Sequence, residues 1–219
     1  MPSLPNPPQR EAIRYLDGPL LVLAGAGSGK TRVITQKIAY LIEECGFSPA
    51  NIAAITFTNK AAKEMQERVG KLLRDKPFGL TISTFHSLGV RILREEAKAL
   101  GYKPRFSIFD ANDSFAIVSD LAGSVDKATI RRLQSVISGW KNALVSPAQA
   151  LKGVQNETEK LAAQAYASYS ATLKAYQAVD FDDLIALPVE LFENHPEILG
   201  KWQNRLRYLL VDEYQDTNA

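Results

Sequence analysis

With 219 residues, 46% of them hydrophobic and 23% charged, the chain can bury a substantial core as one large domain or two small ones, and its composition excludes disorder and low complexity. A formal net charge of +2 is too small to prove a nucleic-acid partner. Cys45 is the single cysteine, so no internal disulfide forms; no apolar run nears the ~18 residues of a membrane span, and the proline-rich start lacks a signal peptide's basic flank and apolar core, which together predict a soluble cytoplasmic protein.

In chain order, residues 9–16 read as a short helix after a proline-rich lead, and residues 20–23 as a buried apolar strand. Residues 31–44 read as a helix, with Val33, Ile34, Ile38, Leu41 and Ile42 on one apolar face. A strand over 52–57, a helix over 59–73 and a strand over 80–85 follow. Strand, helix, strand, helix, strand implies a parallel sheet with right-handed crossovers.

The pattern then becomes helical. Helices are predicted over 88–100, 111–121, 127–141, 159–176 and 182–192, with a possible strand only at 106–109. Strand character returns at 207–211. The expected fold class is therefore α/β, a parallel sheet carrying an all-helical insertion. Residues 1–87 and 199–219 would form the sheet domain, and 88–198 the insertion. The basic excess lies before residue 180, whereas residues 180–198 carry six acids and no Lys or Arg.

The chemistry concentrates at the turn after residues 20–23. Ala24-Gly25-Ala26-Gly27-Ser28-Gly29-Lys30-Thr31 has the layout of a phosphate-binding loop, with Ala24 where the first glycine of the motif is usual. Such a strand-to-helix turn aims backbone N–H groups and the helix dipole at one anion. Gly25, Gly27 and Gly29 allow close backbone approach, Lys30 reaches the β- and γ-phosphates, and the Thr31 hydroxyl suits Mg2+. Downstream, Leu209-Leu210-Val211-Asp212-Glu213 ends a strand in two acids. Ligands bind at that end of parallel sheets. Asp212 suits magnesium, and Glu213 suits activation of water. The pair of motifs predicts nucleoside triphosphate hydrolysis.

The longer strings resemble superfamily 1 DNA helicases of the UvrD/Rep/PcrA type. Residues 24–32 are similar to the family's first motif. Thr56-Phe57-Thr58-Asn59-Lys60-Ala61-Ala62 and Ile82-Ser83-Thr84-Phe85-His86-Ser87 are similar to the next two. Asp180-Phe181-Asp182-Asp183-Leu184 and Val211-Asp212-Glu213-Tyr214-Gln215-Asp216-Thr217-Asn218 match its later landmarks, the second being its Walker B motif. Asn6-Pro7-Pro8-Gln9 resembles the segment whose glutamine reads adenine. The likeness spans essentially the whole chain, and it implies a RecA-like motor lobe.

Carried onto this sequence, the resemblance implies ATP and Mg2+ as cofactors. Gln9 would read the adenine edge and Arg32 would lie near the base, alongside Gly25, Ala26, Gly27, Ser28, Gly29, Lys30 and Thr31. Thr31 and Asp212 would hold the metal, and Lys30 and Glu213 would be catalytic. Phe57, Thr58, Asn59, Thr84, Phe85 and His86 would contact single-stranded DNA, by stacking and by polar contact to phosphate. Without the resemblance, a phenylalanine at a strand end packs in the core. Trp140, Tyr166, Tyr169, Leu173 and Tyr176 read as core, with Trp140-Lys141-Asn142 also placed to touch DNA. Phe181 and Leu184 read as packed, with Asp180, Asp182 and Asp183 capping and solvating the next helix.

The expectation is the N-terminal part of an ATP-dependent 3′ to 5′ DNA helicase. It would act on single-stranded DNA and on single/double-strand junctions, in replication or repair, alongside unspecified replication or repair proteins. The 219 residues alone would be inactive for want of a second lobe. Two alternatives stand beside it: a nuclease-helicase subunit of the RecB/AddA kind, and a non-hydrolysing nucleotide-gated binding module.

Overall fold

The computed structural model describes residues 4–25, 27–74, 77–123 and 126–217. Helices α1 (Pro7–Arg14) and α2 (Lys30–Glu43) precede β1 (Ile52–Thr56), α3 (Asn59–Leu72) and β2 (Thr81–Thr84). Next come α4 (Phe85–Glu96), β3 (Ser107–Ile108), α5 (Ala111–Ala122), α6 (Lys127–Asn142), α7 (Pro147–Lys152) and α8 (Glu157–Ala175). The order closes with β4 (Ala178–Val179), α9 (Asp183–Asn194), α10 (Pro196–Arg205) and β5 (Tyr208–Val211). The chain divides into two compact units, Met1–Phe85 with Gly200–Ala219, and His86–Leu199.

In the first unit, a three-stranded sheet has the order β2-β1-β5. Both pairings are parallel: Ala54 stands opposite Ile82 on one side and Leu210 on the other. Parallel neighbours need a crossover, and α3 supplies it between β1 and β2. Every residue of β1 is buried, as a strand flanked on both edges and covered on its faces requires. Ile38 and Leu41 from α2, and Met65 and Val69 from α3, close over Ile52, Ala54 and Ile82. Each such side chain contributes about 1.5–3 kcal/mol when fully buried.

Residues 20–23 depart from the expectation of a buried strand. They form no strand, and Leu21 and Leu23 are 64% and 86% exposed. The reason is pairing. Among the described residues the edges of β1 are taken by β2 and β5, and no ladder bonds reach 20–23. An apolar run becomes a strand only where a neighbour receives its backbone groups. Leu209 of β5 is exposed as well.

The second unit is built on α5, α6 and α8. Val118, Ile130, Leu133, Ile137, Tyr166, Tyr169 and Leu173 make its core. The tyrosines and Leu173 thus sit where their spacing put them, and Trp140 stacks on Tyr166 at 6.0 Å between centroids. Tyr176 does not: it lies beyond the last turn of α8 and is exposed. The expectation of an all-helical segment is also corrected. β3 and β4 pair in parallel, Ser107 opposite Ala178, because two short extended stretches can satisfy each other's backbone without a wide sheet.

Two contacts organise this unit. Gly89 of α4 lies so close to α9 that a Cβ there would stand 1.8 Å from the Leu184 carbonyl oxygen. Lys141 is 5% exposed and bonds Asp180 at 2.6 Å and Asp183 at 2.8 Å. Lys141 is therefore a buried ion-pair partner and not a DNA contact. At the start of α9 the Asp183 N–H donates to Asp180 Oδ1 and the Asp180 N–H to Asp183 Oδ2, but Asp182, the N-cap residue, makes no side-chain capping bond, and Asp180 and Asp183 are buried and solvate nothing. Burial pushes the Asp183 carboxyl up to about 6, against the pull of Lys141. Leu184 packs as expected. Phe181 is 59% exposed and instead lies against the His86 ring at 4.6 Å.

Candidate active site

The glycine-rich turn runs into α2 with a particular backbone geometry. Gly27 and Gly29 have φ values of 73° and 88°, which glycine adopts without a Cβ penalty. Gly29 occupies the N-cap position of α2, and no side chain caps that helix. Its first-turn N–H groups and the positive end of its dipole therefore face the loop. A Cβ at Gly25 or Gly27 would meet nothing within 4 Å, so both positions border open space. Ala26 lies outside the described residues, as does Asn218.

Lys30 is the first residue of α2. Its Nζ donates to the carbonyls of Ala24 at 3.3 Å and Gly25 at 3.5 Å, so the ammonium lies back across the loop. The Thr31 hydroxyl donates to Asp212 Oδ2 at 3.2 Å. Arg32 follows in the same turn, and its carbonyl accepts from the Thr35 hydroxyl.

Asp212 reaches this position through the sheet. Its N–H bonds the Ile55 carbonyl at 2.9 Å, one step beyond the ladder of β5 with β1, and its side chain is buried. Glu213 comes next, in a left-handed conformation at φ 52° and ψ 47°. A non-glycine residue is strained there by about 1–3 kcal/mol. Its Oε2 accepts from Gln215 Nε2 at 2.5 Å.

Gln9 enters from α1. Asn6 and Gln9 form a reciprocal capping box, in which Gln9 Oε1 accepts from Asn6 N–H at 3.0 Å. Gln9 Nε2 donates to the Ser28 carbonyl at 2.9 Å. A side-chain amide has two N–H donors and two acceptor lone pairs, so one of each remains. Pro8, Gln9, Ala12, Ser28, Lys30 and Val33 line a pocket of roughly 200 Å3. A larger cavity, roughly 360 Å3, lies in the second unit, but the Asp180 carboxylate on its wall is already held by Lys141 and Tyr169.

The residues expected at DNA divide. Phe57 follows β1 and is exposed, and its ring lies 5.5 Å from that of Phe85, which follows β2 and opens α4. Thr58 caps α3 through the Ala61 N–H, and Asn59 opens that helix at the surface. The register aligns Thr56 with Thr84 and carries Asp212 past Ile55, so Phe57, Phe85 and Asp212 follow strand ends on one rim. Thr84 is 7% exposed, its side chain turned inward. His86 belongs to the other unit, where it meets Phe181. Burial holds its imidazole below the ordinary value, with Asp182 opposing.

Sequence reasoning passed over Lys37, Gln215 and the capping role of Asn6. The Asn-x-x-Gln spacing of a capping box was there to be read. Lys37 stands at helical spacing between Val33 and Leu41, a charge on an apolar stripe.

The parallel sheet makes this a mixed α/β protein, and the glycine loop at a helix N-terminus, joined through Thr31 to an acid at a parallel strand's end, is consistent with a phosphate-loop fold. The chain belongs to the family described as UvrD/REP helicase N-terminal domain, whose model matches residues 5–219. It is 53% identical to the ATP-dependent DNA helicase Rep of Salmonella typhimurium over 98% of this chain and 32% of that protein. It is 52% identical to Rep of Escherichia coli, over the same shares. It is 46% identical to the ATP-dependent DNA helicase PcrA of Staphylococcus aureus, over 97% of this chain and 30% of that protein. The chain thus spans about a third of the length of the curated relatives it matches. Among the described residues, no helix is long and apolar enough to cross a membrane.

Proposed function

We propose that the chain is the nucleotide-binding part of a cytoplasmic, ATP-dependent DNA helicase that moves 3′ to 5′ on single-stranded DNA during replication or repair. The observation that carries this reading is the meeting of Thr31 and Asp212 at the N-terminus of α2. The open loop at Gly25 and Gly27, the uncapped helix and the Lys30 ammonium fit a triphosphate. A hydroxyl and a buried carboxylate fit Mg2+, which takes a few protein oxygens together with phosphate oxygens.

In this reading the loop N–H groups and Lys30 grip the phosphates, and Thr31 and Asp212 hold the metal. Bound magnesium would neutralise charge on the β- and γ-phosphates. Glu213 accepts a proton from the water that attacks the γ-phosphorus, as the bond to the β-phosphate oxygen breaks and ADP leaves. The remaining donor and acceptor of Gln9 read adenine in the adjoining pocket, with Arg32 nearby. Phe57, Thr58, Asn59, Phe85 and His86 take single-stranded DNA and its junctions with duplex, and Thr84 supports their strand end from inside. Turnover and unwinding are assigned to the protein in its full length, and the 219 residues alone hydrolyse ATP negligibly.

The test is Glu213→Gln in the full-length protein. ATP binding should persist while DNA-stimulated turnover falls about 10²–10⁴-fold, the usual worth of a general base. Wild-type turnover by this variant would contradict the assignment of Glu213, whereas lost turnover with DNA-directed activity left intact would favour a non-hydrolysing binding module.

A further inference from the structure

Lys37 is the buried charge that the nucleotide site leaves unexplained. It sits in the middle of α2 at 5% exposure. Its Nζ donates to the carbonyls of Ala12 at 2.9 Å, Ile13 at 3.3 Å and Tyr15 at 2.6 Å. An ammonium has three N–H donors, and all three are used. Lys37 is therefore spoken for by the protein and has no donor left for a ligand.

Those carbonyls belong to the C-terminal end of α1, where a cation is favoured by the helix dipole and by the orphan carbonyls. Tyr208 of β5 approaches the same place. Its hydroxyl donates to the Tyr15 carbonyl at 3.4 Å, and Lys37 Nζ lies 5.6 Å from its ring centroid. The end of α1 is thus tied both to the helix that follows the loop and to the strand that delivers Asp212.

Helix α1 needs such a tie. It has eight residues, with Ile13 its one buried side chain. A helix this short does not hold its shape in water unaided. Its other end carries Gln9, held by Asn6 and the Ser28 carbonyl. Gln9 can offer its free donor and acceptor at a fixed place only if α1 stays docked.

We propose that Lys37 is a positioning residue for base recognition: by anchoring the end of α1 to α2 it holds Gln9 beside the loop, and so sets the preference for adenine over guanine nucleotides. The inference rests on the reading of Gln9 given above. The phosphate grip comes from the loop and α2, which Lys37 does not touch through its amine, so it remains when the tether is cut.

The experiment measures Kd for MgATP and MgGTP by calorimetry on the full-length chain, for wild type, Gln9→Ala, Lys37→Met and the double variant. Lys37→Met should weaken ATP about tenfold and leave GTP within about twofold, and in the Gln9→Ala background it should change the ATP:GTP ratio no further. Lys37→Gln, which keeps two donors, carries the same expectation should Lys37→Met fail to fold. A folded Lys37 variant with the wild-type ratio overturns the inference, as does a loss that adds fully to that of Gln9→Ala. If Gln9→Ala itself keeps the wild-type ratio, the adenine-reading role of Gln9 falls, and the inference with it.

Discussion

The Thr31 hydroxyl donates to Asp212 Oδ2 across 3.2 Å, although 181 residues separate the two. One group opens a helix and the other ends a strand, so the contact measures how well the sheet brings two distant motifs together. If both hold one metal, their effects are not independent. Thr31→Val and Asp212→Asn should each weaken MgATP binding, and the double variant should lose less than the sum, with a coupling of about 0.5–3 kcal/mol. Titration with magnesium and with EDTA checks this. Additive losses, or equal losses in EDTA, would count against a shared metal.

The buried cluster of Lys141 with Asp180 and Asp183 makes a prediction about stability. Removing one partner of a buried ion pair leaves a charge uncompensated, at a cost of about 3–5 kcal/mol. Lys141→Met should lower stability by that order in urea unfolding. Adding Asp180→Asn and Asp183→Asn should recover part of the loss, since the orphaned charges go too. A triple variant weaker than Lys141→Met would contradict the account.

Two helix-interior glycines should respond with opposite sign. At Gly89 a Cβ would stand 1.8 Å from the Leu184 carbonyl oxygen, whereas at Gly139 it would meet nothing within 4 Å. Gly89→Ala should destabilise by about 1–3 kcal/mol or more, as α4 and α9 are forced apart. Gly139→Ala should stabilise by about 0.4–1 kcal/mol, since alanine has less unfolded-state freedom to lose. Thermal unfolding of the two variants side by side is the check.

His86 supplies a pH dependence. Burial holds its folded-state value below the ordinary histidine value, and Asp182 partly opposes this. The unfolded chain takes up the proton near pH ~6.5, the folded chain only at lower pH. Between the two the unfolded state binds more protons, so stability is lost as pH falls. An NMR titration should place the imidazole midpoint below ~6.5, and Asp182→Asn should move it lower still. A midpoint above that of a free histidine, or a rise in the variant, would contradict the assignment.

What could be read from residues follows from where each signal resides. The helix at 59–73 and the strand at 52–57 carry their own periodicity, and the structure forms them as α3 and β1. The loop motif locates the glycine turn at the start of α2 because glycine and lysine spacing is local chemistry. Residues 20–23 misled because an apolar run does not declare its neighbours, and pairing decides strands. The sequence is silent on Lys37 and sets Lys141 at DNA because a lysine's partners are set by tertiary approach: three helix-end carbonyls for one, two carboxylates for the other. Phe181 was placed in the core by its neighbours in sequence, but its ring faces His86 at the surface.

The most direct test of the central claim is strand displacement by the full-length protein on duplexes bearing a single-stranded tail. With MgATP, a 3′-tailed duplex should be unwound and a 5′-tailed one left intact, and Lys30→Ala should abolish unwinding while the protein stays folded. Unwinding that persists in Lys30→Ala, or ATP hydrolysis indifferent to single-stranded DNA, would contradict the account.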